Sequence, residues 1–167
     1  MSYTTTEWRT VEPVIRQAEE QARAHPERRD LFLCHAWDDR AGAAKEFNDL
    51  LVSAGVTVWF SEKDVGLGTS LLREIDRGLA NSRIGLVLVT PALLKSLANQ
   101  GIADRELSVL LATNRVIPIV HNTTFEALLD VSPMLHSRSG LNTGDSSMQD
   151  VAAKVAAVAA GAAEDAT

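Results

Sequence analysis

Residues Val56–Leu79 read VTVWFSEKDVGLGTSLLREIDRGL, and this stretch decides the fold. Val56–Phe60 is β-branched and aromatic, the composition of a strand. From Ser70 the spacing changes. Leu72, Ile75 and Leu79 recur on one helical face, with Arg73, Glu74, Asp76 and Arg77 elsewhere. Between them Ser61–Thr69 is too long for a minimal connection, and Gly66 and Gly68 flank an apolar Leu67. A strand feeding a helix is the repeating unit of a parallel α/β sheet, and such sheets place ligands beyond the carboxyl ends of their strands. The loop is therefore expected to be mobile and functional.

On the N-terminal side, Leu31–Cys34 is a short apolar strand followed by His35-Ala36-Trp37-Asp38-Asp39-Arg40. Ala41–Ser53 is the next helix, with Ala44, Phe47, Leu51 and Ala54 on its apolar face and Asp39 as a candidate cap. Further upstream Thr10–Ala24 reads as a helix, with Thr10 as cap, Pro13 in the first turn and an apolar stripe of Val11, Ile15, Ala18 and Ala22. That stripe fits either the chain's own domain or a second subunit. His25–Arg29 is a proline-broken linker.

On the C-terminal side, Ile84–Val89 is almost purely apolar, as a strand buried on both faces should be, and Pro91 closes it. Ala92–Asn114 is helical in parts. Val116–Val120 is a fourth strand, and Pro118 inside it predicts an edge or a kink. Phe125–Leu129 is a short helix, a weak edge strand falls near Ser139–Asn142, and Met148–Ala160 is the last helix. The expected architecture is flavodoxin-like α/β: a parallel sheet of about five strands flanked by helices, plus an N-terminal helix. The expected divisions are an extension over 1–28, a domain over 29–161 and a frayed tail over 162–167.

A chain of 167 residues with 46% hydrophobic residues suits one such domain with a real core. Its net charge of −6 weighs against a nucleic-acid partner. One cysteine excludes an intrachain disulfide. Met1–Arg9 lacks the apolar segment of a signal peptide, and no apolar run is long enough to span a bilayer. The expectation is a cytoplasmic protein without a membrane partner.

Taken residue by residue, the chemistry is sparse. Cys34 and His35 are neighbours on a strand and point to opposite faces, so they do not form a thiol–base pair. His25, His121 and His136 lack metal-ligand spacing, and no metal is expected. Gly66-Leu67-Gly68-Thr69-Ser70 lacks the lysine of a phosphate loop. Asp38-Asp39 resembles the acidic pair of a receiver domain, but the third strand ends Leu88-Val89-Thr90-Pro91 with no aspartate to phosphorylate. Glu106, in Asp104-Arg105-Glu106-Leu107, reads from spacing alone as a solvated glutamate in a first helical turn.

Three segments together resemble a Toll/interleukin-1 receptor (TIR) domain of bacterial type. Asp30–Arg40 is similar to that family's opening strand and its "SHASEDK"-like loop. Gly55–Phe60, Gly68 and Ile75–Leu79 are similar to its second strand, BB loop and following helix. Ser82–Pro91 is similar to its third strand with the flanking "SR" and "SP". The resemblance runs from about Arg29 to Gly161. It implies either of two activities. One is cleavage of NAD at the nicotinamide–ribose bond, by hydrolysis or cyclisation, in antiviral signalling or NAD depletion. The alternative is a non-catalytic adaptor working through TIR–TIR assembly. In the first case NAD is a substrate and no cofactor is implied. Glu106 takes the position of the family's catalytic carboxylate, which reverses the solvated reading. His35, Ala36, Trp37, Trp59, Phe60, Lys63, Leu67 and Ser70 become candidate NAD-binding residues. The BB loop, Ser61–Thr69, becomes the candidate contact for self-association, with a homo-oligomer as the active form. The chain departs from the family pattern in having no tryptophan between Ser96 and Glu106.

Overall fold

Strand β3, Ser82–Val89, has every residue but Arg83 buried. A strand so apolar needs cover on both edges and both faces, and it has both. In the computed structural model, which describes residues 3–60, 71–100, 115–131, 140–144 and 146–159, β3 is the centre of a parallel sheet of order β2-β1-β3-β4-β5. The other strands are β1 (Arg29–Cys34), β2 (Val58–Phe60), β4 (Val116–Val120) and β5 (Leu141–Asn142). Leu33 pairs with both Phe60 and Leu86, and Leu88 with Ile119, so the register is continuous across the sheet.

Side chains alternate between two cores, as the pleat requires. Leu31, Leu33, Ile84, Leu86, Leu88, Ile117 and Ile119 face helices α1 (Thr5–Ala24), α2 (Ala43–Ser53) and α6 (Met148–Ala159). Phe32, Cys34, Val87, Val89, Val116 and Val120 face α3 (Leu71–Asn81), α4 (Pro91–Gln100) and α5 (Phe125–Val131). The Phe32 ring lies where side chains at Gly78 of α3 and Gly85 of β3 would otherwise stand. A Cβ built at Gly85 would come within 2.1 Å of the ring, and one at Gly78 within 2.4 Å. Two glycines thus let α3 close on the sheet with a phenylalanine between them.

Helix α1 packs on its own domain. Val11, Val14, Ile15 and Ala18 are buried in the first core, which resolves the stripe in favour of self-cover. The helix begins earlier than Thr10. Thr4 caps it, accepting from the Glu7 N–H while the Glu7 carboxylate accepts from the Thr4 N–H. Pro13 consequently lies inside the helix, not in its first turn.

The start of α1 is fastened to α6 by a polar latch. Lys154 is only 8% exposed. Its ammonium donates to both Glu7 carboxylate oxygens at 3.0 Å, and its carbonyl accepts from the Tyr3 hydroxyl at 2.8 Å. Burial alone would raise the Glu7 carboxyl. The hydrogen bonds from Thr4 and Lys154, with the Lys154 charge, outweigh it and bring the group below its usual value. Burial first, and the Glu7 charge second, push the Tyr3 phenol up to about 12.

The two signs are opposite. The Glu7 contribution is present above the ordinary carboxylate pKa and is lost as pH falls through the lowered value. The Tyr3 contribution is present below pH 10 and is lost as pH rises towards 12. Tyr3 is the sole tyrosine, so an ultraviolet titration of phenolate reads it directly. A midpoint near 12 is expected, moving down in Glu7→Gln. A wild-type midpoint near 10 in folded protein would contradict the latch.

Two further expectations are corrected. Pro118 does not lie on an edge strand, because β4 pairs with both β3 and β5. Arg115 O accepts from Gly85 N–H, and His121 N–H donates to Val89 O, so odd-numbered backbone groups of β4 face β3. Val120 O accepts from Thr143 N–H, so even-numbered groups face β5. The missing N–H of Pro118 therefore points towards β5, whose pairing starts only at Leu141–Ile119. Asp39 does not cap α2. The N-cap there is Gly42, without a side-chain bond, and Asp39 has another partner.

Candidate active-site edge and family membership

Chain order makes β1 the turning point of the sheet. The chain leaves β1 to one side to form β2, then returns past it to form β3 on the other side. The crossovers run over opposite faces, so the turns that follow β1 and β3 frame the switch point of the sheet, the place where open α/β sheets form their ligand crevice.

The turn after β1 is tightly built. Ala36 O accepts from Asp39 N–H at 3.0 Å, closing the 3-10 turn Trp37–Asp39. It also lies 2.8 Å from His35 Nδ1. A carbonyl can only accept, so Nδ1 carries the proton in this bond. His35 and Ala36 are 1% and 2% exposed. The turn after β3 is Thr90. Its hydroxyl accepts from Leu93 N–H at 3.1 Å, capping α4, and donates to Asp39 Oδ2 at 2.5 Å. Thr90 and Asp39 thus tie the two lips of the crevice together.

The candidate residues sort by place. His35, Ala36 and the Trp37 backbone follow β1. Trp59 and the Phe60 backbone end β2, beside them through the Leu33–Phe60 pair. Trp59 is half-buried against the Phe32 core. These five share one edge of the sheet. Lys63, Leu67 and Ser70, with the BB loop, lie outside the described residues, and so does Glu106.

Thr90 is the residue that motif reading passed over, since Pro91 serves equally to end a strand. Threonine followed by proline is also an N-cap and first-turn pair, and that signal was in the sequence. At the far end of the same edge, His121, Asn122, Thr124, Asn142 and Thr143 line an open cleft of about 390 Å³. His121 Nδ1 lies 2.7 Å from Thr143 Oγ1 there. Among the described residues no group of histidine, cysteine and carboxylate side chains could hold a metal ion. None of the described helices is long and apolar enough to cross a membrane.

Comparison with known proteins gives the class. The TIR domain family model matches residues 31–155, three-quarters of the chain and both lips of the crevice, and the chain belongs to that family. Among individual relatives, the 2′ cyclic ADP-D-ribose synthase AbTIR of Acinetobacter baumannii is 35% identical over 133 residues, covering 77% of this chain and 48% of that protein. The NAD(+) hydrolase PdTIR of Paracoccus denitrificans is 30% identical, covering 77% and 44%. The 2′ cyclic ADP-D-ribose synthase BtTIR of Bacteroides thetaiotaomicron is 29% identical, covering 73% and 43%. The chain spans less than half the length of these curated relatives. In the solved structure of the activated Roq1 resistosome, the TIR domains match with a TM-score of 0.43 at 17% identity, over 77% of this chain and 83% of that one.

Proposed function

We propose that this chain cleaves NAD at the bond between nicotinamide and ribose, with Glu106 as the catalytic carboxylate. The observation that carries the reading is the 35% identity to a 2′ cyclic ADP-D-ribose synthase over most of the chain. The span matched by the family model includes position 106.

The chemistry asks little of the protein. Nicotinamide in NAD is cationic and takes the bonding electron pair with it as a neutral molecule, so no general acid is needed. The anomeric carbon is left with oxocarbenium character. A carboxylate beside the ribose hydroxyls orients the sugar and stabilises that charge. Water then adds at the anomeric carbon and loses a proton, giving ADP-ribose. Alternatively a nucleophile of the same molecule closes a ring with loss of its proton, giving a cyclic isomer. His35, Ala36, Trp37, Trp59, Phe60, Lys63, Leu67 and Ser70 are the proposed surroundings of the substrate. The tryptophans and Phe60 offer flat apolar walls, and Lys63 a charge for the diphosphate. We propose the cytoplasm as the compartment of the reaction.

The active form is proposed to be a homo-oligomer joined through the BB loop. A crevice at a sheet edge is open to water, and a neighbouring molecule can close it and fix the ribose. Specific activity for nicotinamide release is expected to rise steeply with protein concentration, in step with light scattering. Constant specific activity in a demonstrably monomeric sample would refute the oligomer.

A further inference from the structure

We propose that Asp39 is a positioning residue for this reaction, acting through Thr90 to hold the two lips of the crevice in register. The inference rests on the reading of the chain as an NAD-cleaving enzyme.

Asp39 stands on the turn after β1, and Thr90 on the turn after β3. They are the two turns that frame the switch point of the sheet. Thr90 is 2% exposed, and its hydroxyl has one proton to give. That proton goes to Asp39 Oδ2, while the oxygen accepts the Leu93 N–H of the first turn of α4. One buried hydroxyl therefore links the position of the 3-10 turn Trp37–Asp39 to the position of α4. A bond to an ionised acceptor is shorter and stronger than a neutral one. The carboxylate also lies at the amino end of a helix, where negative charge is favoured. Asp39 is thereby withdrawn from capping α2, whose N-cap Gly42 makes no side-chain bond. The chain leaves one helix start uncapped and joins two strand ends instead.

The alternative is a purely structural bond. Kinetics separate the two. Nicotinamide release is measured well below the melting temperature for wild type, Asp39→Ala, Thr90→Val and the double variant, with Asp39→Asn and Thr90→Ser as conservative partners. Misplacement of about 1 Å in a site lowers turnover on the order of a hundredfold. Asp39→Ala and Thr90→Val are expected to lower kcat by about tenfold to a hundredfold, with KM for NAD nearly unchanged. The double variant should be no worse than Thr90→Val alone, because both substitutions remove the same link and Thr90→Val already removes the Leu93 cap as well. Asp39→Asn and Thr90→Ser keep an acceptor and a hydroxyl, and are expected to retain most of the turnover. Amide exchange over 92–94 should quicken in Asp39→Ala although α4 itself is unaltered. An active wild type with Asp39→Ala of equal kcat overturns the positioning role, as does strict additivity of the two losses. An inactive wild type overturns the enzymatic reading instead.

Discussion

Replacing Glu106 with alanine is expected to lower nicotinamide release by a factor on the order of 10² to 10³, the range seen when one preorganised electrostatic stabiliser is removed from a transition state. Glu106→Gln should be nearly as inactive, since an amide can still meet a ribose hydroxyl but brings no charge to the oxocarbenium ion. Glu106→Asp should recover part of the rate. The melting temperature should stay close to that of wild type, because the first-turn glutamate read from the sequence contributes little to folding. Initial rates of nicotinamide release, paired with thermal melts of the same samples, check this. A Glu106→Ala enzyme that keeps most of its turnover would move the catalytic role to another residue.

The largest effect on folding is expected at Gly85. A methyl group there would stand 2.1 Å from two atoms of the Phe32 ring, which is itself 1% exposed and has nowhere to retreat. Overpacking of this kind costs about 1–3 kcal/mol. For a domain of this size that is roughly 2–4 °C in Tm per kcal/mol. Gly85→Ala is expected near the upper end, since both the strand and the ring are fixed. Phe32→Leu in the Gly85→Ala background should restore part of the loss, although Phe32→Leu alone destabilises. Such a reversal of sign is specific to the contact. Simple addition of the two losses in thermal or urea melts would mean that Gly85 acts through strand propensity and not through Phe32.

The sheet was legible because its code is simple. Ile84–Val89 is apolar at every position but Gly85, which is how a central strand must read, and β3 is central. Helix α2 was legible from Ala44, Phe47 and Leu51, all fully buried. The start of α1 was not, because Thr4-Thr5-Thr6 has low helix propensity and hides the apolar period. Its signal was the pair Thr4 and Glu7, a capping box three residues apart, which spacing analysis of apolar residues does not see. The buried lysine of α6 was illegible for a different reason. Lys154 sits among Val151, Val155 and Val158, and only a partner 147 positions away explains its burial.

The candidate site divides along the same line. The strand ends that frame it follow from the alternation of strands and helices. The Asp39–Thr90 bond does not, because a residue before a helix looks like a cap whatever it bonds across the sheet. Glu106 was visible only through the family pattern. A lone glutamate after Asp104-Arg105 has no spacing partner that would mark it, and the chemistry proposed for it needs none.

The most direct measurement is the fate of NAD itself. Purified wild-type chain, at concentrations where scattering shows assembly, is incubated with NAD, and both NAD and nicotinamide are followed by chromatography with mass detection. The account predicts that nicotinamide appears mole for mole as NAD disappears, together with ADP-ribose or a cyclic isomer, and that Glu106→Ala leaves NAD intact. Assembled wild-type protein that leaves NAD unchanged would contradict it.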